Sequence, residues 1–283
     1  MKKIVKLVFT GILLFLIYVC LSLSPILFGD YSKQINYDSY KVIGHRGAAG
    51  LAPENTRSSI KSALEYNPNR IEIDVQQTLD SVIVLMHDTT LDRTSNGSGF
   101  IKNKTFSEIS LLDVGSWFSD NFKNEKIPTL ENALDLINGK CQLIIEIKKG
   151  DEYYPNIEKN ILDIIKRKGA ENWVIIHSFD YNILERVHKL NPNISLQKLF
   201  FGNFKFTSYI FSNKIENIDI DNYPYIKEYS LNYYFANRKI IDFLKSNGKK
   251  VNVWTVNDST KANELISIGV DGIITDNPNL MKE

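Results

Sequence analysis

Short apolar runs alternate with stretches of helical periodicity along most of this chain. In order, the strand-like runs are Tyr40–Gly44, Arg70–Val75, Gln142–Ile147, Trp173–His177, Ser195–Leu199, Glu228–Leu231, Lys250–Thr255 and Gly272–Thr275. The helix-like stretches between most of them are Thr56–Tyr66, Leu130–Ile137, Ile157–Lys168, Tyr181–Leu190, Arg238–Ser246 and Ser259–Ile268. Strands that alternate with helices predict a parallel sheet, and eight repeats in about 250 residues predict an α/β fold, a closed (β/α)₈ TIM barrel.

Two stretches interrupt this alternation. After the second strand, a hairpin-like run at Ser81–Met86 and a turn-rich Asn96–Gly99 lead into irregular sequence. We therefore expect a small insertion after the second strand, at about residues 88–128. Residues 200–227 are also loop-like and are rich in Phe and Tyr.

The N-terminal segment differs in composition from the rest of the chain. Residues 1–29 carry three lysines and no acidic residue, and positions 7–28 hold no charged residue at all. That uncharged run is long enough to cross a bilayer, which takes roughly 20 apolar residues. We expect an N-terminal transmembrane helix or an uncleaved signal at residues 1–29, a polar linker at 30–40 and the barrel domain at 41–283.

Two other readings of this segment are possible. A cleaved signal peptide is also basic and then apolar, but its apolar core is about 7–15 residues long, and the small residues Ser22 and Ser24 are followed by Pro25. A lipid anchor at Cys20 would need a small residue that positions 17–19 lack. Lysines before a span and a large domain after it predict a single-pass protein of the cell membrane with its barrel on the extracytoplasmic side.

Charge and cysteine content narrow the possible functions. Without the three N-terminal lysines the chain has 31 basic and 33 acidic residues, a net charge of about −2. A nucleic-acid-binding surface needs a clustered basic excess, so we expect no nucleic-acid partner. Cys20 lies in the apolar span and Cys141 in an apolar strand, so they are not expected to pair. A hydrophobic core must therefore stabilise the fold.

The candidate chemistry lies at the ends of the predicted strands, where (β/α)₈ barrels carry their reacting groups. Glu72 and Asp74 are two residues apart on the second strand and therefore share a face. Glu146 and Lys148 share a face at the end of the third strand by the same rule. Three buried carboxylates repel one another, and a hard divalent cation, Ca²⁺ or Mg²⁺, would remove that cost. Pairing with Arg or Lys across the sheet is the alternative.

Two of the four histidines begin loops beside these carboxylates. His45 follows the first strand and His87 follows the hairpin-like run, and imidazoles move protons near neutral pH. Arg46 and Lys148 would then supply positive charge to a phosphoryl group. His177 ends the fourth strand and could line the same site.

Eight short segments, taken in order, resemble the glycerophosphodiester phosphodiesterase family. They are His45–Gly47, Pro53–Thr56, Glu72–Val75, His87–Thr94, Glu146–Lys148, Ser178–Asp180, Trp254–Asn257 and Gly269–Gly272. Each string alone is a weak signal, but together they span roughly residues 41–279. The resemblance implies a (β/α)₈ barrel with a small insertion, a divalent cation, commonly Ca²⁺ or Mg²⁺, and hydrolysis of deacylated phospholipids to sn-glycerol 3-phosphate and an alcohol.

The resemblance also implies a role for each candidate residue. By position, Glu72, Asp74 and Glu146 match the family's metal ligands. His45 and His87 match its acid–base pair. The remaining matches are substrate contacts, namely Arg46 and Lys148 at the phosphate, Trp254 against the glycerol and Glu54 on the glycerol side.

Several alternatives stay open on sequence alone. A related barrel phosphodiesterase could act on lysophospholipid or sphingolipid head groups, with the aromatic residues between Phe200 and Phe211 at a membrane interface. Hydrolysis of a glycerol-phosphate polymer is a second alternative. A non-catalytic binding module is a third, although no principal residue is missing. A monomer is the default expectation, because no partner-binding stripe stands out.

Overall fold

The computed structural model describes residues 40–201 and 218–281. Nine strands lie within these residues: β1 (Lys41–Gly44), β2 (Arg70–Gln77), β3 (Ile83–Leu85), β4 (Gln142–Ile147), β5 (Val174–Ser178), β6 (Ser195–Phe200), β7 (Glu228–Asn232), β8 (Lys250–Trp254) and β9 (Gly272–Thr275). All except β3 form one parallel sheet, which closes on itself because β1 pairs with both β2 and β9. The predicted (β/α)₈ barrel is confirmed.

Within the described residues, six helices belong to the strand–helix repeats and one short helix lies in the segment after β2. Over the described part of the chain they are α1 (Arg57–Glu65), α2 (Phe106–Ile109), α3 (Leu130–Ile137), α4 (Ile157–Arg167), α5 (Tyr181–Leu190), α6 (Arg238–Ser246) and α7 (Ser259–Ser267). The side chains of Thr56, Asp180 and Asp258 each accept a hydrogen bond from a backbone N–H of the following first turn. Thr56 is thus the cap of α1, whereas the sequence pattern had predicted it as the first residue of the helix.

The barrel interior is filled by side chains from different strands. One buried layer consists of four isoleucines from β1, β4, β5 and β9, namely Ile43, Ile144, Ile175 and Ile274. The interior also contains a buried ion pair, in which Nη2 of Arg70 donates to Oε1 of Glu228 at 2.8 Å. Because β2 and β7 are not neighbours in the sheet, this buried ion pair crosses the interior of the barrel.

An irregular segment connects β2 to α3. Strand β3 pairs antiparallel with the end of β2, and the chain then passes through α2 and two single turns of 3₁₀ helix, Ile101–Asn103 and Asp120–Phe122. The segment has a small core of its own, formed by Val84, Met86, Leu91, Ile101, Ile109, Val114 and Ile127. This core fixes the chain that carries His87 beside the ends of the barrel strands.

The predicted anchor at residues 1–29 lies outside the described residues, as do the linker up to residue 39 and the aromatic positions from 202 to 217. Among residues 40–201 and 218–281, no helix combines the length and the apolar character needed to cross a bilayer.

Candidate active site

A cavity of about 310 Å³ opens at the carboxyl ends of the barrel strands. Seven of the nine residues singled out from the sequence line it, namely His45, Arg46, Glu72, His87, Glu146, Lys148 and Trp254. Glu54 and Asp74 lie behind this lining and contact it through ion pairs with Arg46. Strand-end reasoning predicted most of the cavity wall because the parallel strands of a barrel all end at one rim.

His45 is held by an aspartate that the sequence reasoning did not single out. Nδ1 of His45 lies 2.6 Å from Oδ1 of Asp276, the residue directly after β9. An ionised carboxylate only accepts hydrogen bonds, so Nδ1 carries the hydrogen and Nε2 is the nitrogen available for proton transfer. Burial lowers the pKa of His45, but the hydrogen bond to Asp276 and the charge of Glu72 raise it above its ordinary value. The strand-end rule, applied to the last strand, would have found Asp276.

His87 has a similar partner in the residue that follows it. Its Nδ1 lies 2.6 Å from Oδ1 of Asp88, whose other oxygen accepts from Nε of Arg93 at 2.7 Å. Arg93 in turn donates two hydrogen bonds to Glu54, of 2.7 and 2.8 Å, and Glu54 also accepts from Arg46 at 2.7 Å. Alternating charges therefore connect His87 to Arg46, and Glu54 lies between two arginines.

Three buried side chains bring potential metal ligands together. Glu72, Glu146 and His177 each place one ligand atom within 4.8 Å of the others. Nε2 of His177 lies 3.7 Å from an oxygen of each glutamate, which is too far for a hydrogen bond. Among the described residues, the two ring nitrogens of His177 and Oε1 of Glu72 have no hydrogen-bond partner. This donor set fits a divalent cation, because a cation would compensate the buried charge.

The pKa of His177 shows how strongly the two carboxylates attract positive charge. Burial lowers this pKa, but Glu146 and Glu72 outweigh the burial and raise it to about 9. The sequence placed His177 only as a residue that could line the site, since the end of β5 was identified but its neighbours across the sheet were not.

Asp74 has different partners from the other two acids. Nζ of Lys148 lies 2.8 Å from Oδ1 of Asp74 and 2.7 Å from Oε1 of Glu146, so the lysine bridges two carboxylates. Nδ2 of Asn55 donates to the other oxygen of Asp74 at 2.8 Å. Burial raises the pKa of Asp74, but Lys148 and Arg46 hold it well below its usual range. Asp74 is therefore beside Glu146 but outside the three-residue group, and its role as a metal ligand stays a prediction.

A tight turn after β1 places Arg46. Arg46 and Gly47 both have positive φ, 50° and 87°, and a Cβ at Gly47 would meet Oγ of Ser59 at 2.4 Å. The backbone N–H of Arg46 donates to Oε2 of Glu72 at 2.9 Å, and its Nε lies 3.4 Å from Asp74. The turn therefore orients one carboxylate through its backbone and contacts the other through its side chain.

Three aromatic rings give the cavity an apolar wall. The ring of Trp254 lies 5.1 Å from that of Phe201 and 5.7 Å from that of Phe179, both nearly perpendicular to it. Nε1 of Trp254 donates to the carbonyl of Ser230 at 3.1 Å, which fixes the indole. Charged groups and an apolar wall in one cavity suit a ligand that has both a phosphate and a carbon skeleton.

Two aspartate-bound imidazoles, cationic side chains and a candidate metal site share one cavity at the rim of the barrel, which fits a barrel enzyme that acts on phosphate esters. The sequence model of the "Glycerophosphoryl diester phosphodiesterase family" matches residues 45–280. The chain belongs to this family.

Known relatives agree with the family assignment. A glycerophosphodiester phosphodiesterase of Caldanaerobacter subterraneus subsp. tengcongensis is 37% identical over 243 residues, which cover 85% of this chain and 95% of that protein. One from Bacillus subtilis is 30% identical over 274 residues, covering 91% and 90%. Among solved structures, an Oleispira antarctica phosphodiesterase in complex with the product sn-glycerol-3-phosphate has a TM-score of 0.77 and 28% identity, covering 86% of this chain and 95% of the other.

Proposed function

We propose that this chain hydrolyses glycerophosphodiesters to sn-glycerol 3-phosphate and an alcohol. The observation that carries the proposal is that His45 and His87, each held at Nδ1 by an aspartate, face the same cavity as the buried carboxylates of Glu72 and Glu146. The structural relative from Oleispira antarctica, solved with the product sn-glycerol-3-phosphate, supports the choice of product.

A divalent cation belongs to the proposed site. Glu72, Asp74 and Glu146 would hold it, and Ca²⁺ or Mg²⁺ suits oxygen ligands of this kind. When bound, the cation would supply Lewis acidity to the phosphate and lower the pKa of the attacking oxygen. The chain's own contribution is to orient two of these acids, Glu72 through the backbone N–H of Arg46 and Asp74 through the side chain of Asn55.

The two histidines would move the protons. One Nε2 accepts the proton of the nucleophile and the other protonates the leaving alkoxide, a contribution of roughly 10²–10⁴-fold. Burial lowers the pKa of His45, but Asp276 outweighs it and favours the protonated imidazole, which suits His45 as the general acid. His87 would then be the general base, with Arg46 and Lys148 against the phosphate oxygens.

Release of glycerol 3-phosphate from glycerophosphocholine tests this function. The full-length chain should release it, and a chelator should stop the release until excess divalent cation restores it. His45→Ala and His87→Ala should each lower kcat by roughly 10²-fold or more while the circular dichroism spectrum stays that of the parent. His188→Ala is the matched control, because His188 stacks on Tyr225 away from the cavity. Undiminished turnover in either cavity variant would refute the assignment.

Lysophospholipid head groups are a second candidate substrate class. The observation in favour is that Phe179 and Phe201, beside the cavity, are each 40% exposed, and such a surface would accept an acyl chain. Turnover of glycerophosphocholine and of lysophosphatidylcholine should be measured side by side. A higher kcat/KM for the lysolipid would favour this second class over the first.

We also propose that the protein is a monomer tethered to the cell membrane by residues 1–29, with the barrel on the extracytoplasmic side. The support for the tether is that Lys2, Lys3 and Lys6 are followed by an uncharged stretch at positions 7–28. Protease added to intact cells should digest the barrel, and a chain beginning at residue 30 should leave the membrane fraction. Protection of the barrel in intact cells would contradict the proposed orientation.

A further inference from the structure

We propose that His177 is a direct ligand of the cation, so that the site binds metal through an imidazole nitrogen as well as carboxylate oxygens. The inference rests on the proposed function for the presence of a cation, and goes beyond it in the ligand set and in the metals that this set prefers. His177 is placed for this by the sheet, because it is directly opposite Glu146 in the pairing of β5 with β4.

The ligand atoms have a spacing that one ion can bridge. Two ligands of the same ion are separated by at most twice the metal–ligand distance, which is about 4–5 Å for bonds of roughly 2.0–2.6 Å. The atoms offered by Glu72, Glu146 and His177 all lie within 4.8 Å of one another. The two distances from Nε2 of His177 to carboxylate oxygens are equal, at 3.7 Å. Nε2 of the imidazole is therefore equally close to the two carboxylates and is not paired with one of them alone.

The contacts of His177 differ from those of the two histidines assigned to proton transfer. His45 and His87 each have Nδ1 held by an aspartate at 2.6 Å. Within the part of the chain that the structure describes, both nitrogens of His177 are buried without a hydrogen-bond partner. Burying such atoms is costly unless something binds them, and Oε1 of Glu72, facing Nε2, is in the same condition. A shared cation would bind Nε2 of His177 and Oε1 of Glu72 at once.

A nitrogen ligand changes which metals the site prefers. Two glutamates and one histidine are grouped, and Asp74, which Lys148 and Asn55 contact, remains the proposed third carboxylate. Imidazole suits transition ions such as Zn²⁺ and Fe²⁺, and Mn²⁺, a carboxylate-binding ion of the same series, accepts a nitrogen ligand more readily than Ca²⁺, which takes oxygen ligands. We therefore expect the full-length chain to bind Mn²⁺ more tightly than Ca²⁺.

Mn²⁺ is a suitable probe because it is paramagnetic. The full-length chain, stripped with chelator and loaded with one equivalent of Mn²⁺, should show a nitrogen coupling in pulsed electron paramagnetic resonance. Selective ¹⁵N-labelling of histidine should change that coupling to the ¹⁵N pattern. This measurement on the unsubstituted protein needs no variant to fold, and it does not depend on turnover.

A variant then assigns the nitrogen. His177→Gln should lose the coupling and bind Mn²⁺ about tenfold or more weakly, with a smaller change for Ca²⁺. His188→Gln, the matched control on α5, should keep both. Tight Mn²⁺ binding without a histidine coupling, or a coupling that survives in His177→Gln, overturns the inference and leaves the proposed function standing. Failure to bind any divalent cation overturns both.

Discussion

The pairing of His45 with Asp276 determines how one proton is held at the cavity. Burial alone would lower the pKa of this imidazole, and the aspartate reverses that effect. Asn257 donates to the second oxygen of Asp276 at 2.6 Å, so the carboxylate is held from both sides. We therefore expect Asp276 to be a positioning residue that acts through the histidine.

Substitution of Asp276 should separate this role from a structural one. Asp276→Asn keeps the shape but removes the charge, so the pKa of His45 should fall and the corresponding limb of the kcat/KM profile should move to lower pH. We expect kcat to drop by roughly 10²-fold, since the imidazole loses its fixed tautomer. Asp163→Asn, which changes an exposed ion pair on α4, is the control. A lower rate with an unmoved pH profile would contradict the proposed role.

At the residue scale, spacing predicted side chains that share a strand and missed those that meet through closure of the barrel. Glu72 with Asp74, and Glu146 with Lys148, follow from the period of two along a strand. His45 and Asp276 are 231 residues apart and meet only because β1 lies beside β9. The strand-end rule and the predicted closure place both residues at the rim, but no local pattern shows that their side chains pair.

The loop after β4 is connected by hydrogen bonds to the segment that carries His87. The hydroxyl of Tyr154 donates to Oε1 of Gln76 at 2.8 Å, and Nε2 of Gln76 donates to the carbonyl of His87 at 2.9 Å. Gln76 and Tyr154 are both buried. This relay of two hydrogen bonds connects the loop after β4 to the segment that carries His87, and its first hydrogen bond is buried.

Removing the first hydroxyl of this relay should weaken the connection between the two elements. Tyr154→Phe leaves Oε1 of Gln76 buried without its donor, which should lower the free energy of unfolding by about 1–3 kcal/mol. Urea unfolding measures the loss, and Tyr153→Phe, at the neighbouring, half-buried ring, is the control. An unchanged unfolding free energy in Tyr154→Phe would show that the relay does not hold the segment.

A buried lysine between β6 and α5 should make stability depend on pH. Nζ of Lys198 donates to the carbonyls of Phe179 and Leu199 and lies 4.6 Å from the ring centre of Tyr181. Burial lowers the pKa of Lys198 from 10.5 to about 8, and Asp180 opposes this only weakly. Between these two pH values the unfolded chain holds a proton that the folded chain has lost, so this group's contribution to stability rises with pH.

Lys198→Met isolates that contribution. The folded parent carries the unfavourable charge in full below about pH 8, so the variant's advantage in unfolding free energy should be largest there. The advantage should shrink toward pH 10.5, by on the order of 3 kcal/mol at most. Denaturant titrations from pH 7 to pH 10 measure it, with the exposed Lys159→Met as control. A difference that is independent of pH would mean that Lys198 is not perturbed.

At the element scale, periodicity predicted the repeating strands and helices, and the hairpin-like run after β2 corresponds to β3, but the structure between β3 and α3 was not predicted. The repeats carry their own signal, because each strand and helix buries one continuous face. The small core after β2 is assembled from isolated residues such as Val84, Leu91 and Ile127, whose spacing matches neither period. Its helix α2 has four residues, too short for a periodic pattern.

The whole molecule is a closed sheet, and closure could be predicted because eight repeats leave two edges that pair with each other. The contacts across the interior could not be predicted. Arg70 and Glu228 are 158 residues apart, on strands that are not neighbours, and they meet only because the strands are staggered around the barrel. An Arg at the start of a strand is usually exposed, whereas Arg70 is 2% exposed.

This ion pair provides a test of the barrel as a unit. Burial raises the pKa of Glu228, but Arg70 outweighs this effect and keeps the pKa below its ordinary value. The contribution of the pair to stability is therefore present at neutral pH and is lost as pH falls through the folded pKa.

Glu228→Gln removes the charge and leaves a buried guanidinium, which should lower the free energy of unfolding in urea by about 3–5 kcal/mol at pH 7. The double variant Arg70→Met with Glu228→Leu should cost much less, because it leaves no buried charge. Lys159→Ala, at a surface pair, should cost at most about 1 kcal/mol. If Glu228→Gln cost no more than that control, the interior of the barrel would have to be wet enough to solvate Arg70, and its 2% exposure argues against this.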